Sequence, residues 1–164
     1  FAYFTLAFAI WDIFYYVFLY LFLGWPQSLF TWDILFLIPL PWIGPVWAPC
    51  LLSLIMITGS LFVIHETSSQ SNFEITKKQW SLLIGGALIC IVSFIWDYYK
   101  SVSGSDFWSP FSTKHLFSEM LTYTPQSFNI PLFFLGFFCM FSPIAFHLYI
   151  KLKPKKWKRT IPSF

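Results

Sequence analysis

Apolar and aromatic residues run along the chain in four blocks, at residues 2–23, 46–64, 80–98 and 131–150. Each is long enough to cross roughly 30 Å of hydrocarbon as a helix, which takes about 20 residues. The segment between the first two blocks, residues 24–45, is also apolar, yet it carries prolines at 26, 39, 41 and 45. A proline inside a helix removes an amide donor and clashes with the preceding turn. The piece at 31–38 would be about 12 Å long as a helix, too short to cross. The expectation for 24–45 is therefore a re-entrant or interfacial half-helix, with Thr31 as N-cap and Asp33 in the first turn, where the helix dipole favours an anion. A further surface helix is predicted over 113–123, where Leu116, Phe117, Met120 and Leu121 face one way and Lys114, His115 and Glu119 another.

Charge placement turns these blocks into a class. The first 65 residues hold only two charged side chains, Asp12 and Asp33, and the first basic residue is Lys77. Charged residues make up 10% of the chain against roughly 25% in soluble domains. A soluble surface cannot be assembled from such a composition, so the solvent for much of this surface is lipid. The expected fold is a single all-α transmembrane domain of four spans, a loop at 99–130 and a basic tail at 151–164. Aromatics reach 24%, which suits contact with acyl chains and headgroups. Trp11, Trp25, Trp32, Trp42 and Trp96 are the candidate interface anchors. The chain opens on Phe1 in mid-run rather than on Met, so the natural N-terminus is expected upstream, and no signal peptide is visible.

The basic residues also predict sidedness. Six Lys and Arg fall between 151 and 159, directly after the last block, and Lys77 and Lys78 follow the second. Basic residues beside span ends are retained in the cytoplasm. Both clusters are thus assigned to the cytoplasmic face of an inner membrane, with 24–45 and 99–130 on the opposite side. The net charge of +3 is concentrated in that tail. It points to the membrane surface rather than to nucleic acid.

Three Trp-Asp pairs recur, at 11–12, 32–33 and 96–97, without a fixed period. Asp12 stands out, because it falls near mid-bilayer, where an acidic residue costs about 2.5–3.5 kcal/mol on insertion scales. On a helix Thr5, Asp12, Tyr16 and Tyr20 share one polar stripe, so a tyrosine hydroxyl can reach the Asp12 region. Two readings stand: a hydrogen-bonded carboxyl that locks this helix to its neighbour, or a proton, ion or ligand site formed by Asp12, Tyr16, Asp33 and Asp97. The second would gather three carboxylates around one outward-facing cavity suited to a hard cation. Asp33 and Asp97, each beside a tryptophan, are otherwise expected near the outer interface.

His65 and His147 fall at similar depth in this topology, which makes bis-histidine ligation of haem or a metal conceivable. Hydrogen bonding at helix ends is the commoner use of such residues. The sequence His65-Glu66-Thr67 lacks the second histidine of a zinc-protease helix, and no nucleophile elbow or phosphate loop occurs. Cys50, Cys90 and Cys139 lie in separate apolar blocks without metal-binding spacing and read as packed thiols. Ser53, Thr58, Gly59, Ser60, Gly85 and Gly86 permit close helix packing.

The stretch from Trp11 to Pro49, with its WD, GWP, TWD and PWxGPVxAP elements in that order, resembles a pattern in uncharacterised bacterial polytopic integral membrane proteins. The likeness covers about a quarter of the chain. It implies a membrane location and points to residues 25–49 as the functional centre, but it transfers no activity and no catalytic residue. The small size and the missing catalytic signature favour a non-catalytic subunit or accessory protein of a larger membrane complex, with lipid and other membrane subunits as partners. The alternatives are a small-solute, proton or ion handler built on Asp12 and residues 24–45, and a haem- or metal-binding membrane protein built on His65 and His147.

Overall fold

The computed structural model describes residues 1–37, 40–69, 74–102 and 123–152. Four helices follow the four apolar blocks: α1 (Ala2–Leu23), α2 (Trp47–Ser69), α3 (Lys77–Val102) and α4 (Ile130–Leu152). All four are long and apolar enough to cross a membrane, and the fold is that of a mostly helical membrane protein. The ends have local causes. Gly24 closes α1 in the left-handed conformation (φ 66°), and its N–H donates to the Tyr20 carbonyl at 2.9 Å, an end that favours a residue without Cβ. At the start of α4, Asn129 Oδ1 accepts the Leu132 N–H at 3.2 Å, and Pro131 occupies the first turn, where its missing donor is not needed.

Residues 24–45 depart from expectation. Instead of a half-helix at 31–38, the chain forms an antiparallel hairpin of β1 (Trp32–Phe36) and β2 (Trp42–Pro45). Asp33 pairs with Gly44 and Ile34 with Ile43, and the register slips between Ile34 and Phe36. A helix of eight residues gains too few hydrogen bonds to offset its nucleation. Prolines instead push Leu40 and Gly44, the residues before them, toward extended backbone. Once extended, the aromatic and β-branched residues of the two arms satisfy each other's backbone groups. The hairpin also caps α2: the Val46 and Trp47 amides, which have no partner inside the helix, donate to the Thr31 and Leu29 carbonyls at 3.0 and 2.9 Å. Non-helical backbone near lipid depends on such internal pairing.

Packing divides the bundle into two pairs. α3 packs most extensively on α4 and α1 on α2, while α2 makes smaller contacts with α4 and β2 leans on α3. The α3–α4 crossing is set by two glycines: a Cβ on Gly86 would lie 2.7 Å from the Gly136 carbonyl oxygen, and one on Gly136 2.6 Å from that of Gly86. Bare backbones therefore touch, as membrane helix pairs with small residues allow. Toward the hairpin end the core is aromatic, with Phe94 and Phe133 buried and Trp47, Trp42 and Phe128 packed around them. Among the described residues α1 has no comparable contact with α3 or α4. The opposite end of the bundle joins Phe1 to Trp80 by an edge-on ring contact and Gln79 to His147 by a hydrogen bond. The surface helix expected at 113–123 lies outside the described residues except for Tyr123, as does the basic tail beyond Leu152.

Pro143 lies inside α4 without ending it. It removes the amide that would bond the Cys139 carbonyl. Ser142 Oγ donates to that carbonyl at 2.9 Å and supplies the missing partner.

Candidate functional site

The polar groups between α1, α2 and the hairpin form the candidate site. Asp12 and Tyr16 lie one helical turn apart on the face of α1 turned toward α2. Asp12 Oδ2 accepts a hydrogen bond from Ser53 Oγ of α2 at 2.7 Å, and Ser53 is fully buried. Tyr16, also buried, donates its hydroxyl to Asp33 Oδ2 of β1 at 2.7 Å. The other Asp33 oxygen accepts the Ile34 N–H at 2.8 Å. Asp12 and Asp33 are within electrostatic reach of each other, and the Cys50 thiol, one turn before Ser53, is within reach of Asp12.

Tyr16 precedes the end of α1 by seven residues, or about 10 Å at 1.5 Å per residue. Because it bonds Asp33, the hairpin folds back along the bundle to that depth. The polar stripe read along α1 divides: Tyr16 serves Asp33 rather than Asp12, Tyr20 is 59% exposed, and Thr5 donates to the Phe1 carbonyl.

Asp97 does not join this pair. It sits near the hairpin end of α3, where Tyr123 donates its hydroxyl to Oδ2, the Gln126 N–H donates to the same oxygen at 2.9 Å, and Ser127 Oγ reaches Oδ1 at 3.1 Å. The carboxylate thereby fastens the 123–129 segment to α3. Burial, and then the bond to Asp97, raise the Tyr123 phenol above its usual value. Among the described residues no group of three or more His, Cys, Asp or Glu is placed to hold a metal ion. His65 is exposed on α2, whereas His147 of α4 is half-buried, lies tilted beside the Phe62 ring with centroids 5.6 Å apart and bonds Gln79 of α3.

The tryptophans take different positions. Trp96, 38% exposed, has the Lys100 ammonium 5.7 Å over its ring, an arrangement suited to a headgroup boundary. Trp25 packs on Tyr16, Trp32 and Trp42 pack into the hairpin core, and Trp11 is exposed midway along α1.

Ser53 and Gln79 emerge as site residues only in the structure. Ser53 was legible in sequence as a small packing residue, and nothing along the chain pairs it with Asp12, 41 positions away. Gln79 carried a signal in the sequence Thr76-Lys77-Lys78-Gln79: a threonine followed three positions later by glutamine is the pattern of a helix N-terminal capping box. No family model, curated protein or solved structure matches the chain.

Proposed function

We propose that this chain is a non-catalytic accessory subunit of a larger membrane assembly and that α1 is the helix it offers to the partner. The observation that carries the proposal is the division of α1 into two faces. Asp12 and Tyr16 turn inward, where Ser53 donates to Asp12 and Asp33 takes the Tyr16 hydroxyl. Its outward face is aromatic, with columns Phe8–Trp11–Tyr15 and Phe14–Phe18–Phe22 in ring contact along the helix. Aromatic side chains give large contact area at low entropic cost and are enriched where proteins meet. Affinity capture from native membranes, with mass spectrometry of the eluate, tests this. A stoichiometric membrane partner, lost when Trp11 and Phe18 are replaced by Ser, is expected. Recovery of the chain alone under conditions that preserve known complexes would refute it.

A second reading, proton or cation handling, draws on the neighbouring carboxyls of Asp12 and Asp33. Asp12→Asn keeps the shape and the acceptor for Ser53 but cannot exchange a proton. The accessory role tolerates that change; proton handling does not. For placement in the membrane we propose a bacterial inner membrane with residues 70–76 and the C-terminal tail in the cytoplasm, on the strength of Lys77, Lys78 and the six basic residues after residue 150. Single cysteines at positions 71 and 103 are expected to label from opposite sides.

A further inference from the structure

The N-terminus of α3 is closed by a reciprocal cap. The Thr76 N–H donates to Gln79 Oε1 at 2.9 Å, and the Gln79 N–H donates to Thr76 Oγ1 at 3.4 Å. This fixes the direction of the buried Gln79 amide. Its oxygen is committed to Thr76, so its Nε2, which can only donate, is the atom that meets His147 Nε2 on α4. Two donors cannot bond each other. His147 Nε2 therefore carries the lone pair, and the ring proton resides on Nδ1.

We propose that the Gln79–His147 contact is a proton-sensitive joint between α3 and α4: the capping box holds the neutral imidazole, and protonation of His147 releases it. An imidazolium presents N–H on both ring nitrogens, which sets donor against donor at Gln79 Nε2. The amide can turn to offer Oε1 to the imidazolium, but it then directs Nε2 at the Thr76 N–H and the cap is lost. One amide thus serves the cap and a neutral ring together, or the charged ring alone. The half-buried position of His147 leaves it within reach of protons from the bundle end. The ionisable groups on the elements packed around it are His65 and the buried Glu66 of α2 and the exposed Lys77 and Lys78 of α3, with Lys151 following in α4. The Gly86–Gly136 crossing lies about two turns away along α3.

The test uses the full chain in lipid nanodiscs. Hydrogen exchange of the amides at 76–81 is followed between about pH 5 and pH 8, the range over which histidine commonly changes charge, and corrected for intrinsic rates. Wild type is expected to lose about tenfold protection on acidification, the scale of a lost cap. Gln79→Glu retains the box, since Glu also completes it, but offers an imidazolium a second carboxylate oxygen, so its pH response should reverse. His147→Asn should show no response, and Glu66→Gln should respond as wild type does. An unreversed response in Gln79→Glu, or one that survives in His147→Asn or vanishes in Glu66→Gln, overturns the proposal. So does nitrogen NMR that finds Nε2 protonated in the neutral ring.

Discussion

The close backbone approach of α3 and α4 at Gly86 yields a sharp test, because two adjacent glycines of α3 have opposite surroundings. An added Cβ at Gly86 would stand 2.7 Å from the Gly136 carbonyl oxygen, 2.7 Å from Met140 Cγ and 2.9 Å from the Met140 amide nitrogen, whereas at Gly85 nothing lies within 4 Å. Ordinary contact begins near 3.4 Å, so Gly86→Ala must move the helices apart by about 0.7 Å at the crossing. Met140 Cγ can swing aside, but the two backbone atoms cannot. Overpacking of this kind costs about 1–3 kcal/mol. Gly85→Ala meets no obstacle and gains helix propensity, up to about 1 kcal/mol. Reversible unfolding in mixed micelles, followed by helix circular dichroism and by steric trapping between labels on α3 and α4, reads both variants. The expected result is a destabilised Gly86→Ala beside a neutral or stabilised Gly85→Ala. Equal stability of the two would refute the contact between bare backbones on which the α3–α4 pair is built.

Three further outcomes follow from individual hydrogen bonds. Ser53→Ala strips Asp12 of its donor inside the α1–α2 contact and should cost about 1–3 kcal/mol, while Asp12→Asn, which still accepts from Ser53, should cost less; unfolding of the two variants side by side measures the difference. Ser142→Ala leaves the Cys139 carbonyl without its hydroxyl and should destabilise α4 by about 1–3 kcal/mol, and adding Pro143→Ala, which restores the missing amide, should recover most of the loss. The Tyr123 phenol is raised in the folded protein, so docking of 123–129 is fully stabilised below the free-tyrosine value of about 10 and weakens as pH rises above it. Fluorescence of Trp47, against whose ring Phe128 of the docked segment packs, should change on that alkaline side, and Tyr123→Phe should remove the transition.

The four spans were legible in the chain because crossing a bilayer is a one-dimensional requirement: about 20 consecutive apolar residues suffice, whatever they pack against. The bounds of α1 match the expected ones, and those of α2, α3 and α4 run a few residues past them, where polar residues such as Glu66, Thr67 and Gln79 continue the helix ends. Proline spacing at 39, 41 and 45 correctly excluded a spanning helix from 24–45, yet it did not distinguish a short helix from a hairpin. That choice depends on whether distant strands can satisfy each other's amides, and no local pattern encodes the partner. Asp12 was conspicuous from composition, but Ser53 and the fold-back of Asp33 onto Tyr16 arise from contacts across 41 and 17 positions. Asp97 looked equivalent to Asp33 beside its tryptophan, and the structure assigns it to a different joint, with Tyr123 and Ser127. Sequence determined which residues must leave water; only the tertiary structure decided which polar groups meet once they have left it, because a hydrogen bond inside lipid is specified by both of its ends.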